Sequence, residues 1–165
     1  MIITDVSKLR TKNVNVSIDE IENIIMDLEK NLGNDGVGLA APQIGINKRI
    51  AIVRFENVSI NLVNPKIVDS INGFINKDEG CLSFPGERFN TLRHREIFVK
   101  DDLRPDGFVA VGFEAVVIAH EIDHLEGILI TDRAVGNNKI GRNDPCPCGK
   151  KINGKAVKFK KCHGK

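Results

Sequence analysis

Apolar residues near the N-terminus recur at the spacing of an amphipathic helix. Ser17 and Glu20, three positions apart, form a capping-box pattern at its start. Gly33 stands where a glycine commonly ends a helix. The intervening apolar residues fall three or four positions apart and are Ile21, Ile24, Ile25, Leu28 and Leu32. The pattern predicts a helix over residues 17–33 with one apolar face.

The pattern then changes to short β-like runs that are separated by turn-forming residues. Asn-Pro at 64–65, Asn-Gly at 72–73 and Pro-Asp-Gly at 105–107 are combinations that typically break strands. We therefore expect strands in the runs that these breaks separate, at residues 49–54, 58–63, 67–71 and 96–100.

A second helix is predicted from about Phe113 to Glu126, with Gly127 at its end. It is apolar on most sides, so it should lie buried in the core. One helix, several strands and a buried helix together indicate an α+β fold. The Gly-Asn-Asn sequence at 136–138 is typical of a linker. We expect a first domain over residues 1–135 and a short second unit over residues 136–165.

Charge is distributed unevenly between these two parts. The net charge of +2 combines residues 1–138, with fifteen Lys/Arg and twenty-one acids, and residues 139–165, with nine Lys/Arg and one acid. Three of the four cysteines also lie in the basic part. No apolar run approaches the ~20 residues of a membrane helix, and residues 1–10 lack a signal-peptide pattern. We therefore expect a cytoplasmic protein without a membrane span, in which clustered cysteines favour metal binding over disulfides.

The buried helix contains His120 and His124 with Glu121 between them, an H-E-x-x-H pattern. Residues four positions apart share one helix face, so both imidazoles can reach one metal ion. Burying these groups and Asp123 in an apolar helix is costly unless they are paired or bind a metal. A metal lowers the pKa of bound water to near ~7, and the glutamate can accept the proton. The pattern therefore predicts a hydrolytic metal site.

The third ligand decides the class of metal hydrolase. An extended zinc-peptidase pattern needs His at position 130, where the chain has Ile130, and no Glu follows Glu126 to replace it. Asp132 is a conceivable ligand. Cys81, in the Gly-flanked segment EGCLS, is the better candidate. A thiolate with two imidazoles leaves one coordination position open, as a catalytic metal requires.

A third segment, GVGLAAPQ at residues 36–43, combines small residues with one polar side chain. Glycine lets a substrate approach the backbone closely. The Gln43 side chain can donate an N–H to an oxyanion that develops during a reaction. The same pattern is also typical of a tight helix-to-strand turn with a surface glutamine.

The three segments together resemble the peptide deformylase family. Its motifs G-x-G-L-A-A-x-Q, E-G-C-L-S and H-E-x-D-H-L-x-G occur here in this order, at residues 36–43, 79–83 and 120–127. The resemblance covers about residues 1–133. It implies a core of antiparallel strands around the buried metal-binding helix.

Carried over position by position, the resemblance assigns a role to each motif residue. Gln43 and the backbone N–H of Leu82 would form an oxyanion hole, and Glu121 would be the general acid and base. Gly38 and Arg88 would bind the substrate. The metal ligands would be Cys81, His120 and His124.

The reaction that the resemblance implies is removal of the N-formyl group from the initiator methionine of a nascent peptide, with release of formate. Fe²⁺ is the metal typical of the family, although a Cys-His-His set also accepts Zn²⁺, Ni²⁺ or Co²⁺. Arg93 matches a further recurrent arginine with a structural role. A non-catalytic alternative is a degenerate deformylase fold that acts as a zinc- and nucleic-acid-binding adaptor.

The basic C-terminal part contains a second possible metal site. GRNDPCPCG at residues 141–149 and Cys-His at 162–163 offer four ligands that suit a closed tetrahedral Zn²⁺ site. So short a segment cannot fold by burial alone, and zinc binding would supply its folding free energy. The segment resembles the SEC-C motif, known from the C-terminus of the preprotein-translocase ATPase. The ligands would be Cys146, Cys148, Cys162 and His163.

Lysines surround these ligands, and no acidic residue follows Asp144. A patch of this kind attracts phosphates and releases counterions on binding. For an enzyme that acts on nascent chains, ribosomal RNA near the exit tunnel of the ribosome is the expected partner. Acidic proteins, anionic lipid and a merely solubilising tail are the alternatives.

Overall fold

The computed structural model describes residues 1–34, 36–136, 143, 151–152 and 155–162. Its helices are α1 Val6–Leu9, α2 Ile18–Leu32, α3 Gly112–Leu125, α4 Ile130–Arg133 and α5 Phe159–Cys162, with a 3-10 helix at Ala41–Ile44. Its strands are β1 Gly38–Ala40, β2 Ile50–Phe55, β3 Val58–Val63, β4 Lys66–Glu79, β5 Phe89–Asp101, β6 Arg104–Val111, β7 Lys151–Ile152 and β8 Lys155–Ala156.

Helix α2 confirms the amphipathic pattern near the N-terminus. The Glu20 carboxylate accepts the backbone N–H of Ser17 at 3.0 Å, as a capping box requires. Gly33 follows the last turn with a φ of 67°. The buried face of the helix consists of Ile24, Leu28 and Leu32.

Two antiparallel three-stranded sheets enclose helix α3. The strand orders are β1-β2-β3 in the first sheet and β4-β5-β6 in the second. Strand β2 alternates its side chains between two cores, with Ile50 and Ile52 in the cluster of α2, and Ala51 and Val53 in the cluster of α3. Strands β5 and β6 also contribute residues to the α3 cluster. The predicted α+β fold with a buried second helix is therefore confirmed.

The second sheet is longer than the sequence pattern predicts, and two predicted strand breaks are wrong. Asn72-Gly73 lies within β4, where Asn72 adopts a φ of 55° that asparagine tolerates better than most residues. Pro105 and Gly107 lie within β6. This strand is at the edge of its sheet, where the missing N–H of proline need not be paired.

The C-terminal part contributes a small antiparallel pair, β7 with β8, and helix α5. Residues 137–142 lie outside the described residues, so the division into units 1–135 and 136–165 stays a prediction. No helix in the described part of the chain is long and apolar enough to cross a membrane.

Candidate active site

Helix α3 carries two histidines on one buried face. His120 and His124 stand one turn apart, and the centroids of their rings are 5.0 Å apart. Apolar neighbours such as Ile118 and Ile122 hold the helix in the core. Because both sheets cover this helix, its polar side chains are withdrawn from bulk water.

Cys81 lies two residues after the end of β4 and faces the histidines. Its Sγ is 3.3 Å from His124 Nε2, and the donor atoms of Cys81, His120 and His124 all lie within 4.8 Å of one another. The fold thus brings together the three residues that the sequence predicts as metal ligands. One thiolate and two imidazoles can hold one divalent ion and leave a coordination position open.

The surroundings of this cluster fit a metal ion. Glu79 Oε1 lies 2.7 Å from His120 Nδ1, an arrangement that fixes the ring and leaves Nε2 for a metal. Within the described part of the chain, Glu121 Oε2 is buried and has no hydrogen-bond partner. Buried polar atoms are nearly always paired, so an unpaired carboxylate oxygen beside three ligand residues fits a site that a metal and water or substrate complete.

Burial shifts the proton affinities of the charged groups around the cluster. Burial raises the pKa of Glu121 to about 7, although the nearby charges of His120 and Arg93 oppose the shift. A carboxyl group with this pKa can accept and donate a proton near neutral pH. Burial lowers the pKa of His124 well below its usual value, which keeps the imidazole neutral, as a metal ligand must be. Burial alone would raise the pKa of Glu79, but the hydrogen bonds with His120 and Arg93 lower it well below its usual value.

Gln43 is buried and is oriented by the backbone of β1. Its Oε1 accepts the N–H of Ala40 at 2.9 Å, and its Nε2 donates to Ser83 Oγ at 3.2 Å. The same Nε2 lies 3.7 Å from Cys81 Sγ. The amide group therefore faces the Cys81 loop, and the interpretation of Gln43 as a surface residue of a turn is wrong.

Two glycines allow close contacts in this region. A Cβ on Gly38 would lie 2.5 Å from Glu121 Oε1, so a larger residue would collide with the carboxylate. A Cβ on Gly80 would lie 1.6 Å from Arg88 Nη1, so the Arg88 guanidinium lies directly over the Gly80 backbone. Both contacts need the missing side chain of glycine.

With the exception of His124, the residues predicted for the Cys81 site border one cavity of about 760 Å³. Gly38, Gln43 and Arg88 line it together with Cys81 and Glu121. A volume of this order accommodates a small molecule or the end of a peptide. Apolar side chains also line the cavity and are those of Val37, Leu82, Phe84, Pro85, Phe113, Val116 and Val117.

A buried network of ion pairs, which the sequence does not predict, lies behind the histidines. Arg93 donates to Glu79 from Nε at 3.0 Å and from an Nη at 2.5 Å, and to Asp123 from its other Nη at 2.6 Å. Arg133 donates twice to Asp123, at 3.0 and 2.6 Å. Thr91 Oγ1 donates to Glu79 at 2.5 Å. The closeness of Glu79 and Asp123 to the predicted ligands along the chain is the signal that could have identified them.

The ligands predicted for a second metal site are not described to the same extent. Cys146, Cys148 and His163 lie outside the described residues, and Cys162 is the last residue of α5. The C-terminal zinc site therefore stays a prediction.

The fold and the Cys-His-His cluster with its buried glutamate define a metal-dependent hydrolase. The sequence model of the family described as Polypeptide deformylase matches residues 2–139. The chain belongs to this family and is an enzyme. The match ends before the three cysteines of the basic tail.

Known relatives cover the same part of the chain. A peptide deformylase of Dictyoglomus turgidum is 42% identical over 137 residues, which are 81% of this chain and 89% of the relative. The crystal structure of a probable peptide deformylase from synechococcus phage S-SSM7 has a TM-score of 0.70 and 36% identity, over 81% of this chain and 98% of that one. A peptide deformylase from synechococcus elongatus in complex with actinonin has a TM-score of 0.73 and 36% identity, over 83% and 79% of the two chains.

Proposed function

We propose that this enzyme hydrolyses the N-formyl group of N-formylmethionyl peptides and releases formate, with one divalent metal held by Cys81, His120 and His124. The observation that carries the proposal is the convergence of these three donors, within 4.8 Å of one another, beside the unpartnered Glu121 carboxylate. Membership of the deformylase family supplies the substrate class.

The metal ligands are one thiolate and two imidazoles, a set that accepts Fe²⁺, Zn²⁺, Ni²⁺ or Co²⁺. Among these ions, the resemblance to the family favours Fe²⁺. When bound, the ion supplies a Lewis acid that polarises a carbonyl and lowers the pKa of water. The protein fixes the ligands through Glu79, which orients His120, and through the burial of His124.

Glu121 moves the proton in this mechanism. Its carboxylate takes a proton from the attacking water and passes it to the amine that leaves when the C–N bond of the formamide breaks. A pKa of about 7 suits both steps because the group exchanges its proton readily near neutral pH. Contact with Gly38 holds the carboxylate close to β1.

Gln43 and the Leu82 backbone stabilise the oxyanion that forms on the formyl oxygen. The hydrogen bond from Ala40 fixes the Gln43 amide, so its N–H group is directed before the reaction begins. A preorganised donor of this kind contributes about 3 kcal/mol to transition-state stabilisation. The Leu82 N–H follows Cys81 directly in the chain and is the second donor.

The cavity binds the peptide beyond the reacting group. The Gly38 backbone lines it next to Glu121. Apolar residues, including Phe113 and Val117, suit a methionine side chain. Arg88 lies over Gly80 at the cavity wall and provides a positive charge for peptide carbonyls or a carboxylate.

Formate release from formyl-Met-Ala tests the proposal. The full-length chain, reconstituted anaerobically with Fe²⁺, should release formate and Met-Ala in equal amounts. Glu121→Ala should keep the metal and lose most of the activity. Equal activity in this variant would contradict the proposed role of Glu121. No activity in the reconstituted wild type would contradict the proposed reaction and favour a non-catalytic adaptor.

The C-terminal tail, in the same proposal, binds Zn²⁺ through Cys146, Cys148, Cys162 and His163. Support comes from the spacing of these residues and from the family match, which ends at residue 139. The lysine-rich surroundings suit a polyanion, and we propose ribosomal RNA in the cytoplasm as the partner, with an acidic protein as the alternative. Ribosomes should pellet the full-length chain at low salt and leave a chain truncated after residue 135 in the supernatant.

A further inference from the structure

Helix α4 is connected to the proposed metal centre by a chain of hydrogen-bonded charges. Arg133, the last residue of α4, donates to both carboxylate oxygens of Asp123, at 3.0 and 2.6 Å. Asp123 accepts from Arg93 at 2.6 Å, and Arg93 holds Glu79 with two bonds of 3.0 and 2.5 Å. Glu79 lies 2.7 Å from His120 Nδ1. Four contacts thus lead from α4 to a metal ligand.

A second route leads from the same segment to the same carboxylate. Ala134 pairs with Thr91 in an isolated β-bridge, and the N–H of Val135 donates to the carbonyl of Asn90 at 2.7 Å. Thr91 in turn donates from Oγ1 to Glu79 at 2.5 Å. Residues 133–135 therefore contact Thr91 directly and reach Arg93 through Asp123, and Thr91 and Arg93 both donate to Glu79.

Among the carboxylates and guanidinium groups of the first route, the charges balance only when Arg133 is included. Glu79 and Asp123 are buried acids, and Arg93, which is 3% exposed, is the cation between them. Arg133, whose side chain is 41% exposed, supplies the second positive charge. Without it, the two buried carboxylates would share one guanidinium, and Asp123 would compete with Glu79 for the Arg93 donors. Buried charges without full pairing are costly, so the arrangement would change.

We propose that Arg133 is a positioning residue of the metal centre. Because Arg133 pairs with Asp123, Arg93 is able to form two hydrogen bonds to Glu79. Glu79 then orients the His120 ring so that its Nε2 is directed towards the ion. This inference rests on the proposed metal site of Cys81, His120 and His124. Partners one contact behind a metal ligand typically change metal affinity by about 10–100-fold when they are removed. Arg133 acts from further away, so the lower end of that range applies.

Cobalt binding to the full-length chain tests the inference without relying on activity. Co²⁺ is titrated into the metal-free chain, and the visible thiolate-to-Co²⁺ absorption is followed. The same titration of Cys81→Ser measures the absorption that the other three cysteines contribute. Arg133→Gln should weaken binding at the Cys81 site by about tenfold. Arg133→Lys should weaken it less, because an ammonium keeps the charge but cannot form both bonds to Asp123.

The matched control is Arg10→Gln. Arg10 also forms a two-bond ion pair with an acid of α4, Asp132, at 2.9 and 2.8 Å, but that pair does not lead to Glu79. This variant should bind Co²⁺ as the wild type does. An equal loss of affinity in Arg10→Gln and Arg133→Gln would show general loosening of α4 and would overturn the inference.

The remaining outcomes are also decisive. Wild-type affinity and spectrum in Arg133→Gln would overturn the positioning role. If Arg133→Gln fails to fold, Arg133→Lys carries the test, and wild-type affinity in that variant would overturn the inference. If the wild type and Cys81→Ser give the same Co²⁺ spectrum, the proposed metal centre itself is wrong, which is a result distinguishable from a failure of the Arg133 inference.

Discussion

Gly38 of β1 and Glu121 of α3 are in such close contact that a Cβ on the glycine would lie 2.5 Å from the carboxylate Oε1 and 2.9 Å from Cδ. The first sheet and the buried helix meet at this contact. Because Gly38 has no side chain, the Glu121 carboxylate can lie close to β1. This closeness also determines the position of the carboxylate relative to Cys81.

Gly38→Ala should lower kcat/KM for formyl-Met-Ala by about 100-fold, because the added methyl group would displace the Glu121 carboxylate and a shift near 1 Å commonly has this effect. The measurement is formate release over a range of substrate concentrations. Gly136→Ala is the control, since a Cβ there would meet no atom within 4 Å. Similar kinetics in the two variants would mean that the contact does not position the carboxylate.

Glu121→Gln should reduce kcat by about 10²–10⁴-fold, because the amide keeps the shape of the side chain but cannot accept the proton of water. Bound metal per chain, measured by elemental analysis, should equal that of the wild type. Glu114→Gln, in the first turn of the same helix, should leave kcat unchanged. Retained turnover in Glu121→Gln would remove this residue from the proton-transfer role.

Gln43→Glu should lower kcat by about 10²-fold or more with a smaller change in KM, since the carboxylate can still accept the Ala40 N–H but has no N–H to donate to the oxyanion. Ser83→Ala removes the hydroxyl that Gln43 Nε2 contacts at 3.2 Å and should have a weaker effect. A larger loss in Ser83→Ala than in Gln43→Glu would show that Gln43 is only a structural partner of the serine.

Stability should depend on pH through Glu20. A hydrogen bond from Lys48, and then those from the Ser17 backbone and hydroxyl, lower the pKa of Glu20 from 4.5 to about 2. Because the folded-state pKa is the lower one, ionised Glu20 stabilises the fold above pH 4.5, and its contribution is lost as the pH falls towards 2. Glu20→Gln should therefore lower the urea midpoint at pH 7, and the difference should shrink below about pH 4.

The control for this measurement is Glu22→Gln, which changes an exposed acid of the same helix. Its urea midpoint should follow that of the wild type at every pH. A difference between Glu20→Gln and the wild type that stays constant from pH 7 to pH 3 would show that lost helix capping, rather than the ionised carboxylate, causes the change.

Sequence patterns predict those elements whose ends and faces depend on residues close together in the chain. Helix α2 begins and ends within one residue of its predicted bounds because Ser17, Glu20 and Gly33 mark its two ends. The convergence of the three residues predicted as ligands follows from two sequence features: a helix places positions 120 and 124 on one face, and the family motifs include Cys81.

The rest depends on contacts between distant segments. Pro105 and Gly107 indicate a turn unless it is known that β6 is an edge strand, which only the order of the sheet reveals. In the ion-pair network, Arg93 pairs with Glu79, which lies 14 positions before it in the chain, and with Asp123, which lies 30 positions after it. Spacing along the sequence marks Glu79 and Asp123 as neighbours of the predicted ligands, but only the folded chain shows that Arg93 pairs with both.

Strand β2 sends Ile50 and Ile52 into one core and Ala51 and Val53 into the other. Neither core can therefore open without disturbing the other, and the two should melt in one cooperative transition. Backbone amides of β2 should be among the slowest to exchange with deuterium, and they should exchange at the rate set by global unfolding. Helix α3, which carries His120 and His124, packs against the same strand. On heating, the arrangement of Cys81, His120 and His124 and the fold itself should therefore be lost together.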